Sequence, residues 1–332
     1  MAQAAGLLTL HELSSGFRRS APRIMNWPGL LAWSTKYHDG TAPSQFKPMT
    51  DEDREFLEKA MEEAFGKIED PNKIMQEAIA QIEAEDRTDE SIATALEVID
   101  KCCDDVDCAR NVEKLNGLQP LIDLLGAKEG SIRVRTCEIL ALLFSNNPHI
   151  QEAGVKRGAM KVLVQLTKEC PKASEERAKA FQALVALVRQ VQVYEETLVT
   201  GAGGMPIILS FLEKDEEAKT REKAMSFARS LTSDGRLQAE HVGALSKALV
   251  PLFHDVAEQG IQYREMLAEC SFELVRAFPK ACADEHEKAA RERLAALLKS
   301  KQEDSTQEEA TYQECVVAFS VGAAESSPAP AA

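Results

Sequence analysis

The chain has 332 residues, of which 44% are hydrophobic, 28% are charged and only 5% are aromatic. A core that rests on aliphatic side chains favours helices over an aromatic-rich β-sandwich. The net charge of −15 argues against a general nucleic-acid or anionic-membrane binder, because such a chain repels phosphate groups. No apolar run approaches the roughly 18 residues that a transmembrane helix requires.

The first 48 residues contain scattered Gly, Pro, Ser and Thr without sustained periodicity, and we predict that they are mostly disordered. The basic and acidic residues of 1–47 give a net charge of +3, so the remainder carries −18. Both tryptophans lie in a short apolar motif within this segment. We predict that the motif docks on a partner; packing on its own protein is the alternative. Its apolar residues are Trp27, Leu30, Leu31 and Trp33.

Two capping helices are predicted over residues 49–89. Thr50 and Asp53 have the spacing of a capping box, and the apolar residues from Phe56 to Phe65 then form one stripe. Gly66 is predicted to end this helix, and a second helix follows Pro71.

From about residue 90 the sequence repeats. Gly117, Gly158 and Gly203 begin similar segments with apolar periodicity, and Gly243 begins a weaker fourth one. These glycines are 41, 45 and 40 residues apart. We therefore expect each glycine to begin the second helix of a repeat.

A second column keeps the same period. It consists of arginines 42, 44 and 43 residues apart, each of which opens a helical segment. An apolar residue follows four positions after the first three arginines, as the core of a stacked array requires. The column is formed by Arg135, Arg177, Arg221 and Arg264.

A period of 40–47 residues with two or three helices is typical of armadillo or HEAT repeats, and the glycine-led segments resemble armadillo repeats. We predict an all-α, right-handed solenoid of about four armadillo-like three-helix repeats over 90–255. A degenerate helical cap over 256–319 and a flexible tail over 320–332 are predicted to follow. The third helices are expected to line a concave, protein-binding surface. Their predicted ranges are 90–108, 133–147, 175–190, 219–233 and 262–277.

No motif of an enzyme stands out. The sequence lacks a phosphate-binding loop and a His-Glu-x-x-His motif, and its six histidines are far apart. Cys102, Cys103 and Cys108 lack metal-ligand spacing, so eight free thiols in a reducing, cytoplasmic compartment are expected. We predict a protein without catalytic residues, metal or cofactor. A cryptic hydrolase whose triad assembles only in space stays an alternative.

One class of peptide-binding armadillo protein, the nuclear-import adaptor, carries Trp and Asn four residues apart on each third helix. The corresponding positions here contain neither residue, so we set this class aside. These positions are Ile99/Cys103, Leu140/Phe144, Gln182/Ala186 and Ser226/Ser230.

Residues 26–43 run Asn-Trp-Pro-Gly-Leu-Leu-Ala-Trp-Ser and, after four further residues, Asp-Gly-Thr. This stretch resembles the opening of the Fes/heat shock protein 70-binding-protein family. Residues 49–61 resemble the next helix of that family, and Asn146-Asn147-Pro148 and Ala277-Phe278-Pro279 resemble its helix ends. The similarity spans about residues 26–320.

The resemblance implies a non-enzymatic nucleotide exchange factor, a co-chaperone of the 70-kDa heat-shock chaperone. The solenoid would hold the chaperone's ATPase domain open so that ADP leaves. The N-terminal motif would help to release client, with the substrate-binding domain as a further contact. A monomer is expected. A generic armadillo scaffold for another protein is the alternative.

The resemblance also suggests contact residues. Arg177 and Arg221 occupy positions where the family has basic residues, so we predict that they bind carboxylates of the chaperone. The alternative is a structural pair within this chain, with Glu175, Glu176 or Glu222. Lys223 is a third, weaker candidate.

Three further positions match the family's sequence. Ala109 would be small so that two backbones approach closely, although Cys108 departs from the family's Asn. Asn146 and Asn147 are candidates for contact, but ending a helix is their favoured role.

Overall fold

A computed structural model describes residues 50–65, 70–103, 106–201, 203–254, 256–300 and 306–324. Within these ranges, all regular structure is helical, which confirms the predicted all-α class. The predicted motif at 26–43 and the second half of the predicted tail, beyond residue 324, lie outside the described residues.

The N-terminal unit ends at Asn111. Its helices are α1 (Asp51–Phe65), α2 (Pro71–Glu83), α3 (Asp89–Cys103) and the first part of α4 (Val106–Lys114). The N-cap bond of the predicted capping box is present, because the amide of Asp53 donates to Thr50 Oγ1 at 3.2 Å, and the Thr50 hydroxyl donates to Asp53 Oδ2 at 2.5 Å. α2 begins at Pro71, as expected, and its buried stripe packs against α3.

The second unit begins at Val112, near the end of α4. Three three-helix repeats follow one another in order, and each ends on its longest helix. The repeats comprise α4, α5 (Leu118–Leu124) and α6 (Gly130–Phe144); α7 (Pro148–Lys156), α8 (Ala159–Glu169) and α9 (Glu175–Val188); and α10 (Gln192–Thr200), α11 (Gly204–Phe211) and α12 (Ala218–Ser233).

The first and second repeats pack against each other mainly through their third helices. α6 packs against α9, and the interior contains the fully buried rings of Phe144, Phe181, Phe211 and Phe227. The observed third helices start and end within a few residues of the predicted ranges, since buried positions at helical spacing fixed them.

A left-handed residue precedes two of the second helices. Gly158 and Gly203 have φ of +84° and +72°, a conformation that glycine adopts without steric cost. In the first repeat Asn116 takes this conformation, with φ of +59°, while Gly117 has an ordinary φ of −75°. The glycine column therefore marks the start of each second helix to within one residue.

The predicted fourth start at Gly243 is wrong. Gly243 lies inside α13 (Ala239–Leu249), which is followed by the 3₁₀ turns Val250–Phe253 and Val256–Glu258. One helix and two short turns take the place of two helices. The apolar periodicity continues on both sides of Gly243, because this glycine lies within a helix and does not start one.

The C-terminal part of this unit is formed by α14 (Ile261–Ala277), α15 (Asp284–Ser300) and α16 (Thr306–Ala324). α14 packs on α12 and α16, around a cluster that includes the buried Tyr312 and Cys315. α16 extends to Ala324 and so includes the first five residues of the predicted tail, 320–324. None of the described helices combines the length and the apolar character that a membrane crossing needs.

Candidate functional site

The arginine column is real, but its first member is Arg133 rather than Arg135. Arg133 is 44 residues before Arg177, which is 44 before Arg221 and 43 before Arg264. All four lie in the first turn of a third helix and face a neighbouring segment. We call these four residues the inner column. The prediction of Arg135 was wrong because two arginines lie two residues apart and spacing alone does not separate them.

The inner column joins successive segments. Arg133 forms a bidentate pair with Glu176 of the next repeat, at 2.5 and 2.9 Å, and also donates to the carbonyls of Ala127 and Lys128. Arg264 lies 3.7 Å from the buried carboxylate of Glu308. These contacts satisfy carbonyl groups and carboxylates at the ends of helices.

Arg177 is the most buried member, with 6% of its surface exposed. It pairs with the buried carboxylate of Glu216, donates to the Thr167 carbonyl at 3.2 Å and to Ser210 Oγ at 2.7 Å, and stacks 4.1 Å above the Phe211 ring. Burial lowers the pKa of Arg177 from its usual value. The guanidinium is therefore enclosed by its own protein and offers little surface to a partner, but its carboxylate partner is Glu216, not Glu175 or Glu176 as expected for an internal pair.

Arg221 is half-buried. It donates to the Lys214 carbonyl at 2.9 Å, and its guanidinium lies 5.5 Å from the centre of the Tyr263 ring. Its contacts resemble those of Arg133 and Arg177, so Arg221 also joins neighbouring segments of the chain.

Two residues further along each helix lies a second basic column. It consists of Arg135, Lys179 and Lys223, again 44 residues apart, and we call it the outer column. Two residues turn an α-helix by about 200°, so a side chain there points away from the inner column. Lys223 is exposed, and Arg135 and Lys179 are partly exposed.

Each lysine of the outer column reaches back to the preceding repeat. Lys179 Nζ donates to Glu138 Oε1 at 2.5 Å, and Lys223 Nζ donates to Gln182 Oε1 at 2.7 Å. The acceptors themselves are 44 residues apart. A repeated polar ladder therefore crosses three neighbouring third helices.

The ladder continues towards α14. Arg189 Nη2 lies 3.4 Å from Ser226 Oγ, and Arg229 Nη1 donates to Glu269 Oε2 at 2.5 Å. The ladder has more basic than acidic members in a chain whose net charge is −15. It contains Arg135, Glu138, Lys179, Gln182, Arg189, Lys223, Ser226, Arg229 and Glu269.

The local charges shift two pKa values. Burial acts to raise the pKa of Glu138, but hydrogen bonds from Lys179 and Arg135 outweigh it and hold that pKa below its usual value. Although the Lys223 side chain as a whole is exposed, neighbouring groups partly desolvate its ammonium, and this effect together with nearby Lys179 lowers the pKa of Lys223. Clustered positive charge favours an incoming anion.

The remaining candidates have different surroundings. Asn146 is exposed and has a left-handed φ of +53°, directly after α6 and Ser145, so it takes part in ending that helix. Asn147 is partly exposed and precedes α7 at its N-cap position. Ala109 belongs to α4, but its side chain is outside the described part, as are Trp27, Leu30, Leu31 and Trp33.

Of the residues in the ladder, only Lys223 was predicted from the sequence to contact a partner; Arg135, Gln182 and Ser226 were noted for their spacing alone. The signal was present, because Lys179 and Lys223 each follow a periodic arginine by two residues. The corrected register puts Glu138, Gln182, Ser226 and Glu269 in one column, which also contains no Trp or Asn.

In the described part of the chain, possible metal ligands are scattered and several thiols are buried. No group of three His, Cys, Asp or Glu side chains there could hold a metal ion. Burial raises the pKa of Cys137, Cys270 and Cys315 to about 12, which keeps these thiols protonated and unreactive.

Solved structures define the fold class. A designed armadillo repeat protein in complex with a (KR)4 peptide matches with a TM-score of 0.57 and 17% identity, over 74% of this chain and 99% of that one. An engineered protein matches with a TM-score of 0.60 and 17% identity, over 82% of this chain and 61% of that one. The protein therefore has an armadillo-type helical fold.

Family models agree with the resemblance seen in the sequence. The model of the SIL1/FES1/HPBP1 C-terminal domain matches residues 108–241, and that of nucleotide exchange factor Fes1 matches residues 28–112. The two matches overlap at residues 108–112 and include the N-terminal motif from Pro28 onwards, the ladder up to Arg229 and all three complete repeats. The chain belongs to the SIL1/FES1/HPBP1 family.

Individual relatives are distant. The Hsp70 nucleotide exchange factor FES1 of Eremothecium gossypii is 26% identical over 182 residues, which are 53% of this chain and 63% of the relative. That of Debaryomyces hansenii is 26% identical over 225 residues, which are 64% of this chain and 73% of the relative. The chain thus matches less than two thirds of the E. gossypii protein.

Proposed function

We propose that the protein is a nucleotide exchange factor of the 70-kDa heat-shock chaperone and acts as a non-enzymatic co-chaperone. The observation that carries this proposal is the pair of overlapping family matches over residues 28–241, one of which is described as a nucleotide exchange factor. The relatives from Eremothecium gossypii and Debaryomyces hansenii are Hsp70 nucleotide exchange factors, which supports the proposal.

The proposed contact surface is the side of the third helices that carries the ladder. Its basic groups, above all Lys179 and Lys223, would meet carboxylates on the chaperone's ATPase domain. Exposed Asn146 lies at the end of the first of these helices and could accept or donate a hydrogen bond there. Arg177 and Arg221 would act indirectly, by fixing the helices that present the lysines.

The proposed action is differential binding. A protein that binds the open, nucleotide-poor form of the ATPase domain more tightly than the closed form shifts the chaperone towards opening, so that ADP leaves. A complete switch needs a preference of about 5 kcal/mol, which an extended interface of roughly 1,000 Å² or more can supply. No covalent chemistry is required.

Several finer features belong to the same proposal. The protein would work as a monomer in the cytoplasm, without a cofactor. Its N-terminal motif would compete with client for the chaperone's substrate-binding domain. A generic armadillo scaffold for a different partner is the alternative that the experiment below separates.

The test is release of a fluorescent ADP analogue from the chaperone. We expect the wild-type protein to accelerate release, and Lys179→Glu/Lys223→Glu to weaken the complex by about tenfold or more, because two attractive contacts become repulsive. Raising the salt concentration should weaken the wild-type complex more than the variant complex.

Lys161→Glu is the matched control, since Lys161 is exposed on the second helix α8, away from the ladder. It should leave release unchanged. Unaltered ADP release at saturating wild-type protein would refute the exchange function and favour the scaffold. Full activity of the double variant would refute the proposed surface alone.

A further inference from the structure

α1 has an apolar side that is open to solvent. Phe56 and Met61 are 37% and 42% exposed, and Leu57 and Ala60 between them are partly buried. Residues three and four apart share one face of a helix, so these four side chains form a continuous strip. Large exposed apolar side chains in such a strip are typical of a docking surface.

α1 is also strongly acidic. Its 15 residues include seven acidic and two basic side chains, which gives the helix a net charge of −5. The segment that precedes it has the opposite character, since residues 1–47 carry a net charge of +3. That segment also contains both tryptophans of the chain, close to Leu30 and Leu31.

Chain length permits contact between the two. Sixteen residues separate Trp33 from Thr50, at the start of α1. Fully extended they span roughly 55 Å, whereas α1 is only about 22 Å long. A short connection also raises the effective concentration of the motif at this surface.

We infer that the apolar strip of α1 is the docking site for the Trp-containing motif of the same chain, residues 26–34. Trp27, Leu30, Leu31 and Trp33 cover Phe56 and Met61, while the basic residues of the segment lie near the carboxylates of α1. The docked motif is withheld from other partners. This inference does not depend on chaperone binding.

Tryptophan fluorescence of the full-length protein tests the inference directly, because the only two tryptophans are in the motif. Acrylamide quenching should be weaker in the folded protein than in the urea-unfolded chain. Met61→Glu should increase the quenching constant about twofold, since it removes apolar contact and places a carboxylate, which is costly to bury, beneath the motif. Moderate salt should also increase quenching, because it screens the opposite charges.

Val193→Glu is the control, as Val193 is 64% exposed on α10 and should leave quenching unchanged. Phe56→Ser provides a second variant, and circular dichroism checks that α1 persists. Quenching in the wild type equal to that of the unfolded chain would overturn the inference. So would protection that neither variant reduces, or protection that rises with protein concentration and therefore comes from a second copy.

Discussion

The inner and outer columns have similar residues, two positions apart on the same helices, yet the extreme members of the two columns differ sharply in burial. Arg177 is almost completely buried and fully engaged, whereas Lys223 extends into solvent from the next third helix. The difference comes from helical geometry, because two residues correspond to more than half a turn. A basic residue that recurs once per repeat can therefore join neighbouring repeats or face a partner. The burial of its side chain decides between these two roles.

The largest effect is expected for Arg177→Ala. This change leaves the carboxylate of Glu216 buried without its partner, which costs about 3–5 kcal/mol in the free energy of unfolding. Urea unfolding followed by circular dichroism measures it. Replacing both residues by leucine should restore much of the loss, since no isolated charge then remains buried. If Arg177→Ala lowers the free energy of unfolding by no more than Lys179→Ala does, the distinction between the two columns is wrong.

His286 extends the comparison to a buried group without an opposite charge. It is fully buried, its Nδ1 lies 3.0 Å from Ser246 Oγ, and burial lowers its pKa to about 4. As the pH falls from about 6.5 to 4, the unfolded chain binds this proton first, so stability should decrease by up to about 3 kcal/mol. Urea unfolding at several pH values measures the decrease.

Two variants isolate the contribution of this histidine. His286→Phe should lose part of the pH dependence between pH 6.5 and 4, because the titrating group is gone. His254→Gln should keep the full pH dependence, since His254 is exposed directly after the 3₁₀ turn Val250–Phe253. Parallel pH profiles of wild type and His286→Phe would show that other groups cause the acid sensitivity.

The smallest effect is expected in the outer column. Lys179→Ala removes a partly exposed pair with Glu138, and such pairs contribute about 0.2–1 kcal/mol. Thermal unfolding in low and high salt measures the loss, which should shrink as salt screens the pair. If Lys179→Ala lowered the free energy of unfolding by several kcal/mol, Lys179 would have a structural role like that of the inner column.

Much of the fold could be predicted because repeats impose a visible period. The third helices and the capping box at Thr50 follow from apolar spacing and local hydrogen bonding. Gly243 shows the limit, since the same local pattern occurs inside α13. Whether a glycine starts a helix depends on neighbouring helices, which local sequence does not contain.

The candidate site was predicted less well. Arg177 and Arg221 were predicted as site residues because they recur once per repeat and match basic positions of the family. The carboxylate and carbonyl groups that enclose them are 7 to 39 residues away in the sequence, so local sequence does not reveal them. Lys179 lies beside one of these arginines and was overlooked, because nothing in a column of basic residues indicates which of them is exposed.

The sequence by itself determined the helical class, the period of the repeats and the family, because these depend on residue types at fixed spacing. Only the tertiary structure decided the register of the arginine column and the depth of each basic side chain. Burial and ion pairing arise where distant segments meet, as Arg133 meets Glu176 across 43 residues. Spacing along one chain limits which residues can share a face, and packing then determines which of those faces water reaches.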